Sequence, residues 1–227
     1  MKKIFEIAVV PFITIIISVV LGLIFKDNFI GGVTLIFGFL NAYYMAKGKW
    51  YNYIFGILFT FSYGWACFIN GLFGWGIFML IFYVPSQVIG MINWFKNDKD
   101  GTVEMKSLNI KKASIVCIAT LIGSVIFGYL LSLIPKQQLS FLDSTTQIVN
   151  VAGIILSLFR WREAWYLWLI NNVLDLSIWT INLYRKNENV EMLFITSIMY
   201  LFMNVIGIVL WIKIERKQKN IDLNCGK

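Results

Sequence analysis

Five side chains between positions 165 and 179 alternate rings with polar groups: Trp165, Trp168, Asn172, Asp175 and Trp179. Their steps of 3, 4, 3 and 4 put all five on one face if the segment is helical. Ring faces of this kind stack on a planar ligand, while the amide and the carboxylate hydrogen-bond its hydroxyl and amide edges. This is recognition chemistry. Reaction chemistry is poorly served, because the chain has no His and so no His-based triad, His general base or HExxH zinc site. Cys67, Cys117 and Cys225 have no motif spacing, which points to neither a disulfide framework nor a metal cluster. Cys67 and Cys117 read as small apolar fillers. No metal and no cofactor is expected.

The chain also writes one phrase twice, QVIGMINW at 87–94 and NVIGIVLW at 204–211. Tyr83, Gln87, Gly90 and Trp94 match Tyr200, Asn204, Gly207 and Trp211 at a constant offset of 117, and each set again falls on one helical face. Asp143, Gln147 and Asn150 form a further polar stripe. The structural alternatives are plain. Membrane amides such as Gln147 and Asn150 also serve as interhelical glue, and Gly90 and Gly207 admit close packing. Trp94 and Trp211, each two residues before a Lys, read as interfacial belt anchors, and Pro85 as a bend near Gln87.

Helices must hold these stripes, and the composition says in what solvent. Of 227 residues 59% are hydrophobic and 14% charged, against about 25% charged in a soluble domain. Apolar segments run over 4–25, 28–46, 51–70, 73–95, 114–134, 141–159, 164–184 and 192–212, each near the ~20 residues that cross a bilayer as a helix. Only Asn70-Gly71 separates the third from the fourth. With the N-terminus inside and sides alternating, 16 of the 20 Lys and Arg fall in inside segments. The net charge of +8 is then topology, and nucleic acid is not the expected partner. MKK and an apolar run also begin secretory signals, but the run is long, Glu6 interrupts it and no A-x-A-like site follows, so a retained helix is expected.

The repeat organises the eight segments. Segments two to four correspond to six to eight, with Trp50-Tyr51 against Trp165-Tyr166 at offset 115, and the fifth as connector. The expected fold is an all-α integral membrane protein of eight transmembrane helices in a 1+3+1+3 plan with two parallel three-helix repeats. Its parts are an extra N-terminal helix at 1–27, repeat 1 at 28–95, a cytoplasmic loop at 96–113, a connector at 114–140, repeat 2 at 141–213 and a cytoplasmic tail at 214–227. Parallel repeats of this kind place substrate near the midplane at the repeat interface and alternate access by rocking one against the other. The candidate substrate-binding residues are Gln87, Asn172 and Asp175 as hydrogen-bonding groups, Trp168, Trp179, Tyr83 and Tyr200 as ring surfaces, and Asn204, Gln147 and Asn150.

QVIGMINW, the Phe141-Leu142-Asp143-Ser144 start of the sixth segment and RWREAWYLWLINNV at 160–173 resemble the PnuC family of bacterial vitamin transporters, and the 3+1+3 plan resembles sugar carriers of the SWEET type. The likeness spans most of the chain, and WxxW followed by Asn is its most specific part. It implies facilitated uptake of nicotinamide riboside, or a related nucleoside or B vitamin, by a homotrimer in the bacterial cell membrane, where the Lys and Arg distribution puts both termini on the cytoplasmic side. It further implies that a cytoplasmic kinase traps the substrate, and that Gln87, Trp168 and Asn172 match the family's site motifs. Gly56-Ile57-Leu58-Phe59-Thr60 departs from the pattern, since nicotinamide riboside carriers tend to have Asn in this run. Asp175 stands where a small hydroxyl residue is common. A deoxyribonucleoside or thiamine carrier of the same family is the alternative. A membrane-embedded enzyme is the rival from another class, short of an acid and base pair.

Overall fold

A computed structural model describes residues 10–25, 29–69, 77–133, 139–185 and 191–225, and of a number of these, Cys67 and Trp179 included, only the backbone. Among the described residues the fold is all-helical apart from one short hairpin of two-residue strands. Two compact units divide it, Met1–Val103 and Glu104–Lys227, with the boundary inside the polar loop.

In the first unit α1 (Val10–Phe25), α2 (Phe29–Ala46), α3 (Asn52–Ile69) and α4 (Val84–Lys96) each pack on the helix before them in the chain. A π-helical turn, Met79–Tyr83, leads into α4. Pro85 accounts for its place: a proline has no N–H to give and its ring crowds the carbonyl four residues back. The chain widens just ahead of it, the Val84 N–H reaching Met79 O. After α4, β1 (Asp98–Lys99) and β2 (Thr102–Val103) pair through Asp100-Gly101, both at positive φ. That conformation is what a two-residue Asp-Gly hairpin turn requires.

In the second unit α5 (Ile110–Ser132), α6 (Ser140–Leu158), α7 (Ala164–Tyr184) and α8 (Glu191–Cys225) repeat the chain of neighbours. Asn109 caps α5, its Oδ1 accepting the Lys112 N–H at 2.9 Å. The buried residues of α5 are Thr120, Ser124 and Gly128, a stripe of small side chains turned to α6, where Ser144 Oγ donates to Ser124 O at 2.9 Å. Around this stripe Ile115, Ile118, Leu121, Ile122 and Val125 are exposed. Such an arrangement is costly in water and suited to lipid. Among the described residues four helices are long and apolar enough to cross a membrane, Phe29–Ala46, Ile110–Ser132, Ser140–Leu158 and the Ser197–Gln218 part of α8. The last helix does not stop at the membrane-length 192–212 but continues to Cys225. The Asn70-Gly71 break lies outside the described residues.

Each unit turns its second helix into its third by the same device. Gly48 and Arg160 both sit at φ +65°, each N–H bonding the carbonyl three residues back at 2.9 Å. The next N–H, of Lys49 and of Trp161, reaches five residues back at 3.0 Å. This is a Schellman helix stop. The two turns match at an offset of 112, a count that sets Tyr53, not Trp50, against Trp165. The Trp-Tyr likeness at offset 115 is therefore incidental. Trp50 lies edge-on to Tyr51 and Phe95 instead.

Candidate functional site

In the second unit Trp165 lies over Gly207, where an added Cβ would strike its six-membered ring, and stands edge-on to Trp168 at 5.4 Å and to Trp211 at 5.8 Å. In the first unit Tyr53 lies over Gly90 in the same way and edge-on to Trp94 at 5.2 Å. Trp94 and Trp211 are each 0% exposed, which corrects their reading as belt anchors: they lock a ring onto a glycine inside the bundle. Gly90 and Gly207 do admit close packing, of a ring.

One turn along α7 from Trp165, Trp168 brings its indole Nε1 to the bare face of Gly153 on α6, 2.6 Å from where a Cβ would stand. Below it Asn171 and Asn172 are buried, and Asn171 Nδ2 donates to Asp175 Oδ2 at 2.8 Å. Asn171 was not among the residues expected from the sequence, although its spacing of four from Asp175 is the signal that finds it. On α6, Gln147 Nε2 donates to Asp143 Oδ1 at 3.1 Å, an intrahelical bond, and Asn150 is half-buried beside the same stripe. On α8, Asn204 is buried and Tyr200 half-buried. The Trp179 side chain lies outside the described residues.

In the first unit, counting by the same offset of 112, Gly56 stands where Trp168 does and Asn41 where Gly153 does. The notch has changed sides. Gly56 supplies it, and the Gln87 carbonyl oxygen and the Asn41 amide nitrogen fill it, the latter 2.8 Å from the Cβ position. Asn41 Nδ2 donates to Asn52 O at 2.9 Å, and Asn52 is fully buried. Neither amide was expected from the sequence; no spacing links Asn41 to Gln87, only the fold does. Tyr83 is buried in the π-helical turn, edge-on to Phe78 and Phe82.

Several polar atoms in these two clusters are buried and make no hydrogen bond: Gln87 Oε1 in the first unit, and Trp165 Nε1, Asn171 Oδ1 and Asn204 Oδ1 in the second. Each costs about 1–3 kcal/mol while unmet. Donors and acceptors held ready at such a cost are what a polar ligand satisfies. The combination of rings, amides and two carboxylates, Asp143 and Asp175, suits binding.

A model of the nicotinamide mononucleotide transporter family matches residues 28–213. The nicotinamide riboside transporter PnuC of Neisseria mucosa is 28% identical over 201 residues, 84% of this chain and 74% of that protein. The protein of the same name from Haemophilus influenzae is 32% identical over 157 residues, 67% of this chain and 69% of its own. A solved structure, described as the crystal structure of the vitamin B3 transporter PnuC, superposes with a TM-score of 0.77 at 27% identity, covering 94% of this chain and 92% of that one. These likenesses and the apolar helices make the protein a multi-pass membrane protein. The chain belongs to the nicotinamide mononucleotide transporter family.

Proposed function

We propose that the protein carries nicotinamide riboside, or a closely related nucleoside, across the cell membrane by facilitated diffusion, as a carrier and not an enzyme. The family match brings this reading, and one observation carries it to the residues: the second unit holds, besides the Trp168 ring, buried amide carbonyls of Asn171 and Asn204 that make no hydrogen bond. A pyridine carboxamide offers a face to stack and N–H donors for such carbonyls. Trp168, Asn172, Asp175, Asn204 and Gln87 are the assigned substrate contacts. Tyr200, Gln147 and Asn150 in the second unit, Tyr83 in the first and, from the sequence alone, Trp179 are further proposed contacts. The assignment extends to eight spans in two parallel repeats, a homotrimer, cytoplasmic termini, and a cytoplasmic kinase that phosphorylates the arriving substrate.

Purified protein in ligand-free liposomes should give saturable entry of labelled nicotinamide riboside that equilibrates without chemical change. A new compound in the lumen would make it an enzyme. Entry of thymidine or thiamine in preference would turn the reading to the alternative substrates, which the carboxylate of Asp175 keeps in view. If that carboxylate is a ligand, Asp175→Asn should weaken binding about tenfold or more, or reverse the preference, because a charged hydrogen bond is worth about 1.5–3 kcal/mol. Asn keeps an acceptor for Asn171, so the fold should hold. Unchanged affinity for all three compounds would remove Asp175 from the site.

A further inference from the structure

The loop-bearing end of the second unit sorts its charges. Arg162 Nη1 meets Glu215 at 2.6 Å, Arg160 Nη1 lies 3.6 Å from Glu104, and Glu163 accepts the Leu108 N–H at 3.0 Å while lying 3.5 Å from Arg162. Every acid described at this end is thus engaged with the protein. The bases are not. Lys111 and Lys112 at the start of α5, and Lys213, Arg216 and Lys217 on the continuation of α8, are all exposed. On α8 the three bases share an arc opposite Trp211, Glu215 and Gln218, the last holding the Met105 N–H at 3.1 Å. The helix is docked by one side and shows cations on the other.

We infer that these five bases form an interaction surface for anionic phospholipid headgroups. Three observations favour a lipid over a soluble anion. Both groups of bases stand where a long apolar helix ends, next to the exposed Ile110 on α5 and just beyond the Ser197–Gln218 span's apolar part on α8. That is the height of lipid phosphates. Lys111 and Lys112 also oppose the dipole of their own helix, so α5 itself gains nothing from them. Finally, the first unit does not repeat the pattern: Lys47 lies 4.7 Å over the Tyr43 ring, Lys49 donates to Gly101 O, and Asp98 and Asp100 sit in the hairpin among its lysines. The surface is independent of which substrate is carried.

The test uses full-length protein in nanodiscs of mixed phosphatidylcholine and phosphatidylglycerol, with retained lipid counted by native mass spectrometry after mild delipidation. The wild type should keep phosphatidylglycerol preferentially at low salt, and the Lys111→Gln, Lys112→Gln, Lys213→Gln, Arg216→Gln, Lys217→Gln protein should lose about tenfold or more of that preference. The variant with Arg at the four lysine positions should retain it, which separates charge from folding. High salt, where the Debye length falls to about 3 Å, should abolish it. Equal retention by the Gln variant, no preference in the wild type, or full displacement by free inorganic phosphate would each overturn the assignment.

Discussion

Gly48 and Arg160 hold the same place in the two units and solve the same problem differently. Both end a helix in the left-handed conformation, with matching backbone bonds. Glycine adopts it freely, whereas a residue with a Cβ pays about 1–2 kcal/mol. Arg160 offsets that through its side chain, which is buried and donates from Nη1 to Glu104 O at 3.1 Å beside the Glu104 carboxylate. Burial pushes the guanidinium below its ordinary pKa, and Glu104 pulls it back. The first unit spends nothing at its turn; the second ties the turn to the loop that precedes α5. The candidate sites differ in the same spirit, an amide pair over Gly56 against an indole over Gly153. The two turns share backbone bonds and differ in their side-chain work.

The indole is the place to break that comparison hardest. Stacking of a ring on a base-like ligand is worth about 1–3 kcal/mol by truncation, so Trp168→Ala should raise the Kd for nicotinamide riboside about 5–150-fold in calorimetry on purified protein, and Trp168→Phe should recover most of it. Gln87→Leu should behave differently from Trp168→Ala. It removes a buried acceptor that has no partner, so binding should fall about tenfold while the midpoint of thermal unfolding stays or rises. If stability falls with binding, Gln87 is packing and not a ligand.

Next in size come the glycines under the rings. Gly207→Ala sets a methyl against three ring atoms of Trp165, and Gly90→Ala against Tyr53. Both should destabilise by about 1–3 kcal/mol. Trp165→Leu should relieve Gly207→Ala, and Tyr53→Leu should leave it unrelieved, as thermal unfolding of the double variants would show. Relief by both would mean that the rings act as filler without a specific seat.

These residues also mark how far the sequence could be read. Helix positions were legible because lipid enforces length: runs such as 28–46 and 164–184 fall within a residue of Phe29–Ala46 and Ala164–Tyr184. The stripe from Trp165 to Asp175 was legible because helical spacing alone aligns it. Asn41 was not, since its nearness to Gln87 depends on how α2, α3 and α4 pack, which no periodicity encodes. Trp94 and Trp211 misled for the same reason: a Trp near a Lys at a helix end looks interfacial until the facing ring is known. The register of the middle helices stayed open in the sequence, where a shared Trp-Tyr pair stands out and a left-handed turn, written as Gly once and as Arg once, does not.

The smallest effects lie at those turns and isolate the trade between backbone and side chain. Arg160→Gly gains left-handed freedom and loses the Glu104 contacts, so its stability should stay within about 0.5 kcal/mol of the wild type. Arg160→Ala keeps the strained φ and loses the contacts, and should cost about 1–2 kcal/mol. Gly48→Arg imports the strain into a turn where Lys49 already holds Gly101 O, and should cost about 1 kcal/mol or more. In Glu104→Gln the bond to the residue-104 carbonyl remains and only the charge pairing goes, so the further change Arg160→Gly should cost less than it does in the wild type. Equal losses for Arg160→Gly and Arg160→Ala would show that the side chain, and not the left-handed backbone, decides how the second unit makes its turn.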